Sequence, residues 1–332
     1  MKITRLPHPP PASSPLSGPA FVTGSTGLLG NNLVRLLVKQ GIPVRALTRS
    51  RAKAARQFGQ LPGVEFIEGD MTDVPAFAAA LSGVKIIFHT AAHFRDAYKG
   101  GRHRDKLEQV NVLGTRALLA AARDAGVHRF VHTSSVAVVD GPPDTLINET
   151  MVRDPSQADD YYQSKIHADQ TVRDFLNEYP DMWACFVLPG WMHGPGDIGP
   201  TSAGQLVLDF MHRKLPGIVP GSFSVVDARD VAAVLVAAAE KGRRGERYLA
   251  AGRHCTMGEL AVQLEHVSGR PAPIPSDGGN AARRNRMVWG ARISAKPSDQ
   301  VSRNSQGHSL ISTGFEKSTV RCERAGLRPL DD

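Results

Sequence analysis

The chain has 332 residues, 41% of them hydrophobic, and a formal net charge of +8, enough apolar material to bury a sizeable core in one large domain or two unequal lobes. No run of 18 apolar residues occurs, which argues against a membrane-spanning helix. The positive charge is local: residues 281–330 hold ten Lys/Arg against three Asp/Glu, and the remainder shows no basic stripe interleaved with aromatics, so nucleic acid is not an expected partner.

Residues 1–18 hold five prolines and no apolar stretch, the composition of a flexible tail rather than a secretory signal. Cys185, Cys255 and Cys322 are few and widely spaced. They suit a reducing cytoplasm and give neither a disulfide framework nor a zinc site. From 19 to 190, short apolar runs alternate with helical stretches. Strands are expected at 20–23, 44–48, 64–68, 86–90, 130–134 and 184–188, and helices at 28–39, 107–125 and 161–177. That alternation predicts an α/β fold, a Rossmann-type doubly wound parallel sheet. A helix at 227–240 and a strand at 247–250 return to this dinucleotide-binding domain. Segments 191–226 and 251–276 then form a smaller substrate lobe, in which Thr256-Met257-Gly258-Glu259 reads as a capping box and Gly269 as the stop. From 277 to 332 the apolar periodicity is lost, and a poorly patterned tail is expected.

Gly24-Ser25-Thr26-Gly27-Leu28-Leu29-Gly30 follows the first strand and opens the first helix. Glycines at these positions let the chain turn tightly, let backbone N–H groups approach a pyrophosphate, and let helix and strand pack closely. NAD enzymes usually carry an acid about 20 residues further on to hold the ribose 2′-OH. This chain reads Leu47-Thr48-Arg49-Ser50-Arg51, without an acid, and Arg49 and Arg51 can neutralise a 2′-phosphate, which a guanidinium fork grips bidentately. NADPH is therefore the expected cofactor, with NAD the alternative. Asp70, in Gly69-Asp70-Met71, is placed to meet the adenine amino group or to cap a helix.

Tyr161-Tyr162-Gln163-Ser164-Lys165 lies about 130 residues beyond the glycine loop. Tyr161 and Lys165, at i and i+4, share a helix face. A nearby ammonium is expected to lower the tyrosine pKa and let Tyr161 exchange a proton with a carbonyl or alcohol oxygen. Ser135, or its neighbour Ser134, can donate to the same oxygen. Arg95, Lys99, Arg102, His103 and Arg104 form a basic loop, either merely solvated or attracting an anionic substrate. His89, His132 and His193 read as packing or hydrogen-bonding residues rather than metal ligands.

Together these residues resemble the extended short-chain dehydrogenase/reductase family. The matching segments are Thr23 to Gly30, Gly69-Asp70, His89-Thr90-Ala91-Ala92, Asn111-Val112-Leu113-Gly114-Thr115, Thr133-Ser134-Ser135 and Tyr161 to Lys165. Gly194-Pro195-Gly196-Asp197, Leu208-Asp209-Phe210 and Gly245-Glu246-Arg247-Tyr248 look most like its dihydroflavonol-4-reductase-like branch, which includes bacterial hopanoid-associated sugar epimerases. The resemblance implies catalysis by Ser135, Tyr161 and Lys165 with an ordering role for Asn111. It also implies cofactor contacts from the glycine loop (Gly24, Thr26, Gly27, Leu28, Leu29, Gly30), Asp70, Met71, Thr90, Ala91, Ala92, Tyr161, Lys165 and Pro189, and often a homodimer through two long helices. Where the family commonly reads Asn-Pro-Ser, this chain has Leu188-Pro189-Gly190-Trp191, which puts an indole on the substrate side. The expected activity is NAD(P)-dependent reduction of a carbonyl, or oxidation of a secondary alcohol, on a small molecule. The rivals are an NAD-retaining sugar epimerase or dehydratase and a non-catalytic NADP-sensing protein.

Overall fold

The computed structural model describes residues 16–94, 103–142, 145–273 and 310–311. The expectations for the Pro-rich tail up to residue 15, for Arg95, Lys99 and Arg102, and for nearly all of 277–332 lie outside the described residues.

Strand β1 (Ala20–Thr23) pairs in parallel with β2 (Val44–Thr48) on one side and β4 (Ile86–His89) on the other, and β2 pairs with β3 (Val64–Glu68). Strands β5 (Arg129–Thr133) and β6 (Trp183–Pro189) continue the sheet beyond β4 in parallel. Two apolar layers form because each strand sends alternate side chains to opposite faces. Ala20 and Val22 face the layer covered by α1 (Leu28–Lys39), whereas Phe21 faces the layer beneath α4 (Gly114–Asp124) and α5 (Asp160–Glu178). Val131 of β5 likewise joins the first layer and Phe130 the second. Helix α2 (Arg51–Phe58) follows β2, capped by Ser50, which accepts from the Lys53 N–H.

The expected helix at 107–125 is not continuous. It begins as α3 (Arg104–Leu107), widens to a π-helix over Glu108–Leu113, and resumes as α4. A π-helical turn costs hydrogen-bond geometry and is frequent at functional positions. In this chain it carries Asn111.

Beyond β6 the chain forms β7 (Trp191–His193), α6 (Ser202–Met211), β8 (Ser222–Asp227) and α7 (Ala228–Lys241). Only α7 was expected from periodicity. The strand expected at 247–250 is longer: β9 runs Arg247–Thr256, parallel to β6 through its first half and antiparallel to β8 through its second. Gly190 sits where these strands converge, and a Cβ there would lie 2.6 Å from the Ser224 carbonyl oxygen and 2.7 Å from that of Ala251. Close approach of backbones therefore accounts for glycine at this departure from the family pattern. Helix α8 (Met257–Ser268) opens on the expected capping box, with the Glu259 N–H donating to Thr256 Oγ1 and the Glu259 carboxylate accepting from the Thr256 N–H, and Gly269 ends it in the left-handed region.

Candidate active site

The glycine loop joins β1 to α1 against the end of β4. Gly24 has φ +65°, and a Cβ on it would lie 2.7 Å from the Ala91 nitrogen. A Cβ on Gly30 would run into the Gly24 carbonyl oxygen. Backbone packing thus requires glycine at both positions, and at Gly24 the left-handed conformation requires it as well. The loop is fastened by Ser25 Oγ, which donates to the Leu47 carbonyl at 2.8 Å, and by Thr23 Oγ1, which accepts from Thr90 N–H and Ala91 N–H, both at 3.1 Å. Gly27 caps α1 without any side-chain hydrogen bond, so the first-turn amides face outward past a loop with no side chain in the way. This arrangement fits a dinucleotide pyrophosphate. Leu28 and Leu29 have buried side chains, which leaves only their backbones to face a nucleotide. Thr26 is partly exposed.

At the next loop Arg49 is exposed, while Arg51 pairs with Glu68 at 3.7 Å. Asp70 Oδ1 accepts from the Thr72 N–H and Oγ1, both at 2.9 Å. Burial works to raise the Asp70 pKa, but these Thr72 bonds and the positive charge of Arg49 hold it below the usual carboxylate value. Asp70 thus closes a turn onto Thr72 instead of capping a helix, the residue that precedes the 3-10 segment Val74–Leu81 being Asp73. Met71 is buried, its carbonyl pressed against Gly114. Ala91 is partly exposed, Ala92 exposed, and Pro189 buried as the last residue of β6.

Ser135 follows β5 in extended conformation and caps a short 3-10 turn, Val136–Val138, accepting from the Ala137 N–H at 3.1 Å. Its side chain stands close enough to the Tyr161 hydroxyl to favour the ionised form of that tyrosine. Tyr161 lies in the first turn of α5, whose N-cap Asp159 accepts from the Tyr162 N–H at 2.8 Å. The ring keeps part of its surface open and meets Phe94 edge-on at 4.8 Å. One turn on, Lys165 is 3% exposed, and its Nζ donates to the Thr133 carbonyl at 2.8 Å. Asn111 clamps the opposite wall: Oδ1 accepts from the His93 N–H at 2.7 Å, and Nδ2 donates to the His93 carbonyl at 3.2 Å and to Ser164 Oγ at 3.0 Å. Ser135, Tyr161, Lys165 and Asn111 are thus brought to the C-terminal ends of β4 and β5, the edge where open parallel sheets bind ligands.

The electrostatics differ from the sequence expectation. Tyr161 is not lowered: burial of its hydroxyl, then the negative character of Tyr162 and Asp159, push its pKa up, and Ser135 only partly opposes them. The Lys165 ammonium is directed to the Thr133 carbonyl, and burial draws the lysine down to about 8 while Asp169 opposes the fall. At neutral pH the tyrosine is a phenol and the lysine an ammonium.

Of the histidines, His89 bonds Thr23 Oγ1 at 2.8 Å and Thr115 Oγ1 at 2.9 Å, tying the glycine loop to α4. His132 Nε2 faces Asp169 Oδ1 at 3.3 Å, and burial lowers the pKa of His193. Trp191 packs edge-on to Phe223 at 4.3 Å and to His193 at 4.9 Å. Sequence reasoning missed Asp169, although the spacing of 161, 165 and 169 places it on the same stripe of α5 as the tyrosine and lysine.

Residues 20–251 match the model of the NAD dependent epimerase/dehydratase family. Sterol demethylase protein B of Methylococcus capsulatus is 41% identical over 256 residues, covering 76% of this chain and 75% of that protein. The 4-hydroxy-2-methyl-3-oxo-4-farnesyl-3,4-dihydroquinoline-1-oxide ketoreductase of Stigmatella aurantiaca is 32% identical, covering 79% and 77%. The crystal structure of gox2253 superposes with a TM-score of 0.69 at 33% identity, covering 77% of this chain and 76% of that one. The chain therefore belongs to the NAD dependent epimerase/dehydratase family, the extended short-chain dehydrogenase/reductases.

Proposed function

We propose that the protein is an NADPH-dependent reductase of a carbonyl on a small organic molecule. The observation that carries this reading is the convergence of Ser135, Tyr161 and Lys165 at the C-terminal ends of the parallel strands, beside the glycine loop. Ser135 and Tyr161 converge on one substrate oxygen: Ser135 orients it, and the Tyr161 hydroxyl gives it a proton as it gains negative charge. Lys165 stabilises the phenolate left behind and supplies a donor for the nicotinamide ribose. Asn111 holds the strand-end backbone at His93 and the α5 helix in one register. The cofactor, when bound, supplies the hydride. The exposed Arg49, directly after β2 where an acid would otherwise hold the ribose 2′-OH, favours the 2′-phosphate of NADPH. The ketoreductase relative agrees with net reduction.

The substrate lobe of residues 191–226 and 251–276 completes the pocket, with Trp191 on its substrate side. A reducing, cytoplasmic setting fits the sparse cysteines; among the described residues no helix is long and apolar enough to cross a membrane. The second reading, a sugar epimerase or dehydratase that keeps its NAD, is favoured by the family's name and by structural neighbours that include a nucleoside-diphosphate-sugar epimerase and a dTDP-glucose 4,6-dehydratase with NAD bound. A panel of ketones and aldehydes assayed by NADPH consumption, with Tyr161→Phe as control, separates them. Turnover by the wild type that falls 100-fold or more in the variant, in line with the ~10²–10⁴ contributed by general acids, supports the reductase. Interconversion of nucleotide sugars without net NADPH consumption overturns it.

A further inference from the structure

Beneath Ser135 and Lys165 lies a group of ionisable side chains that the hydride chemistry does not use. Phe130, His132 and Ser134 alternate along β5 and so share its α5-facing side. Asp169 of α5 meets that side with 3% of its side chain exposed. Its Oδ2 accepts from Ser134 Oγ at 2.8 Å and lies 3.4 Å from Arg247 Nη2, while its Oδ1 faces His132 Nε2 at 3.3 Å. Arg247, 7% exposed, enters from β9 and also donates to the Glu149 carbonyl at 3.2 Å. The Glu149 carboxylate in turn accepts from the Leu249 N–H at 3.0 Å. The loop that leaves the Ser135 turn is thereby tied to the same cluster. A second link to that turn is Arg153, which donates to the Ala137 carbonyl at 2.8 Å.

Such a cluster is expensive. Carboxylate and guanidinium both lose water, and a buried ion pair is often no more stable than apolar residues of the same volume. Its retention directly below the site therefore needs a reason other than stability. Asp169 touches the neighbour of Ser135 through Ser134 and stands one helical turn beyond Lys165. It is thereby placed to act on both.

We infer that Asp169 is a positioning residue of the active site, holding the Ser134–Ser135 turn and the Lys165 ammonium in a fixed relation to each other. Lys165 gains from a nearby anion, because burial favours its neutral form and the Thr133 carbonyl that accepts from it carries no net charge. Burial would raise Asp169 itself, but His132 facing it, the hydrogen bond from Ser134 and the charge of Lys165 hold its pKa below the usual carboxylate value. The charged and titratable groups facing it are His132 on β5, Arg247 on β9 and Lys165 on α5. His89 on β4 stands one ring beyond His132, and Arg173 and Glu149 act on Arg247.

This inference rests on the catalytic reading of Lys165, but its test does not need turnover. Lysine side chains are labelled with ¹³C at Cε and titrated by NMR in the protein alone, and the Lys165 resonance is assigned by its loss in Lys165→Arg. The wild-type midpoint is expected near 8. Asp169→Asn keeps the size and a polar group but removes the charge, and the midpoint is expected to fall by about one pH unit or more. Asp169→Glu, which restores the charge, returns it towards the wild-type value. Should Asp169→Asn not fold, Arg247→Gln supplies the opposite sign: removing a buried cation beside Asp169 raises the Lys165 midpoint. A midpoint unmoved in whichever of these variants folds overturns the inference. A moved midpoint in a protein that reduces no carbonyl leaves the inference standing and removes the reductase reading instead.

Discussion

Around Gly24 and Gly30, backbone packs on backbone, and the nucleotide edge is shaped by what the side chains leave out. Around Lys165, β5, α5 and β9 meet through buried charges, and the chemistry is shaped by what the interior is made to hold. The first region tolerates no added atom, because its neighbours are main-chain groups that cannot rotate aside. The second tolerates change in shape far better than change in charge, since each ionised group there is held by the others. Substitutions of the two kinds should therefore separate nucleotide binding from proton chemistry.

The largest effect is expected at Gly30. In Gly30→Ala the new methyl meets the Gly24 carbonyl, at a cost of about 3 kcal/mol of overpacking and with loss of measurable nucleotide binding. Thermal unfolding and NADPH titration by fluorescence check both. Near-normal binding would show that the loop is looser than the packing implies.

Lys165 gives an effect of similar size that depends on pH. Its value in the folded protein is about 8 against an ordinary 10.5. Between those values the unfolded chain binds more protons, so this group's contribution to stability rises with pH. Below 8 it no longer changes. Relative to Lys165→Met, which lacks the group, the wild type should therefore gain roughly 3 kcal/mol from pH 8 to 10.5. Chemical denaturation of both proteins across that range measures it, and a constant gap would mean that Lys165 titrates normally.

Arg49→Ala should weaken NADPH about 10-fold or more while leaving NADH nearly unchanged, since only the 2′-phosphate loses a charge-assisted partner. Equal effects on the two nucleotides would remove the cofactor assignment. The smallest change lies far from both regions: Thr256→Ala breaks the capping box of α8 and should cost ~1 kcal/mol of stability with no change in nucleotide affinity.

The nucleotide half was legible because its signals are local. Apolar runs gave β1 to β6 to within a residue at each end, and the glycine spacing placed the turn that Gly24 and Gly30 require. Asn111 was identified by resemblance, but its π-helical setting was not, because the apolar period across 107–125 does not reveal a local widening. The lobe after residue 190 was read less completely. Strand β7 has only three residues, β8 carries alternating polar positions with little buried surface, and Gly190 is explained only by β8 and β9 converging on it, a long-range approach with no local pattern. The charge state of the site was misread for a related reason. Spacing places Lys165 beside Tyr161, but it does not say that Thr133 takes the ammonium, or that burial outweighs that neighbour at the phenol. Asp169 had a visible stripe, but its partners, Ser134, His132 and Arg247, come from two other strands.

The central claim is an exchangeable NADPH site coupled to proton donation by Tyr161. The most direct measurement is to denature the purified protein, identify any nucleotide released and its redox state, and titrate the native protein with NADPH. Little or no bound nucleotide, together with reversible binding of one NADPH per chain, is the predicted result. Stoichiometric NAD⁺ released only on denaturation would contradict it and would favour a site that retains its cofactor.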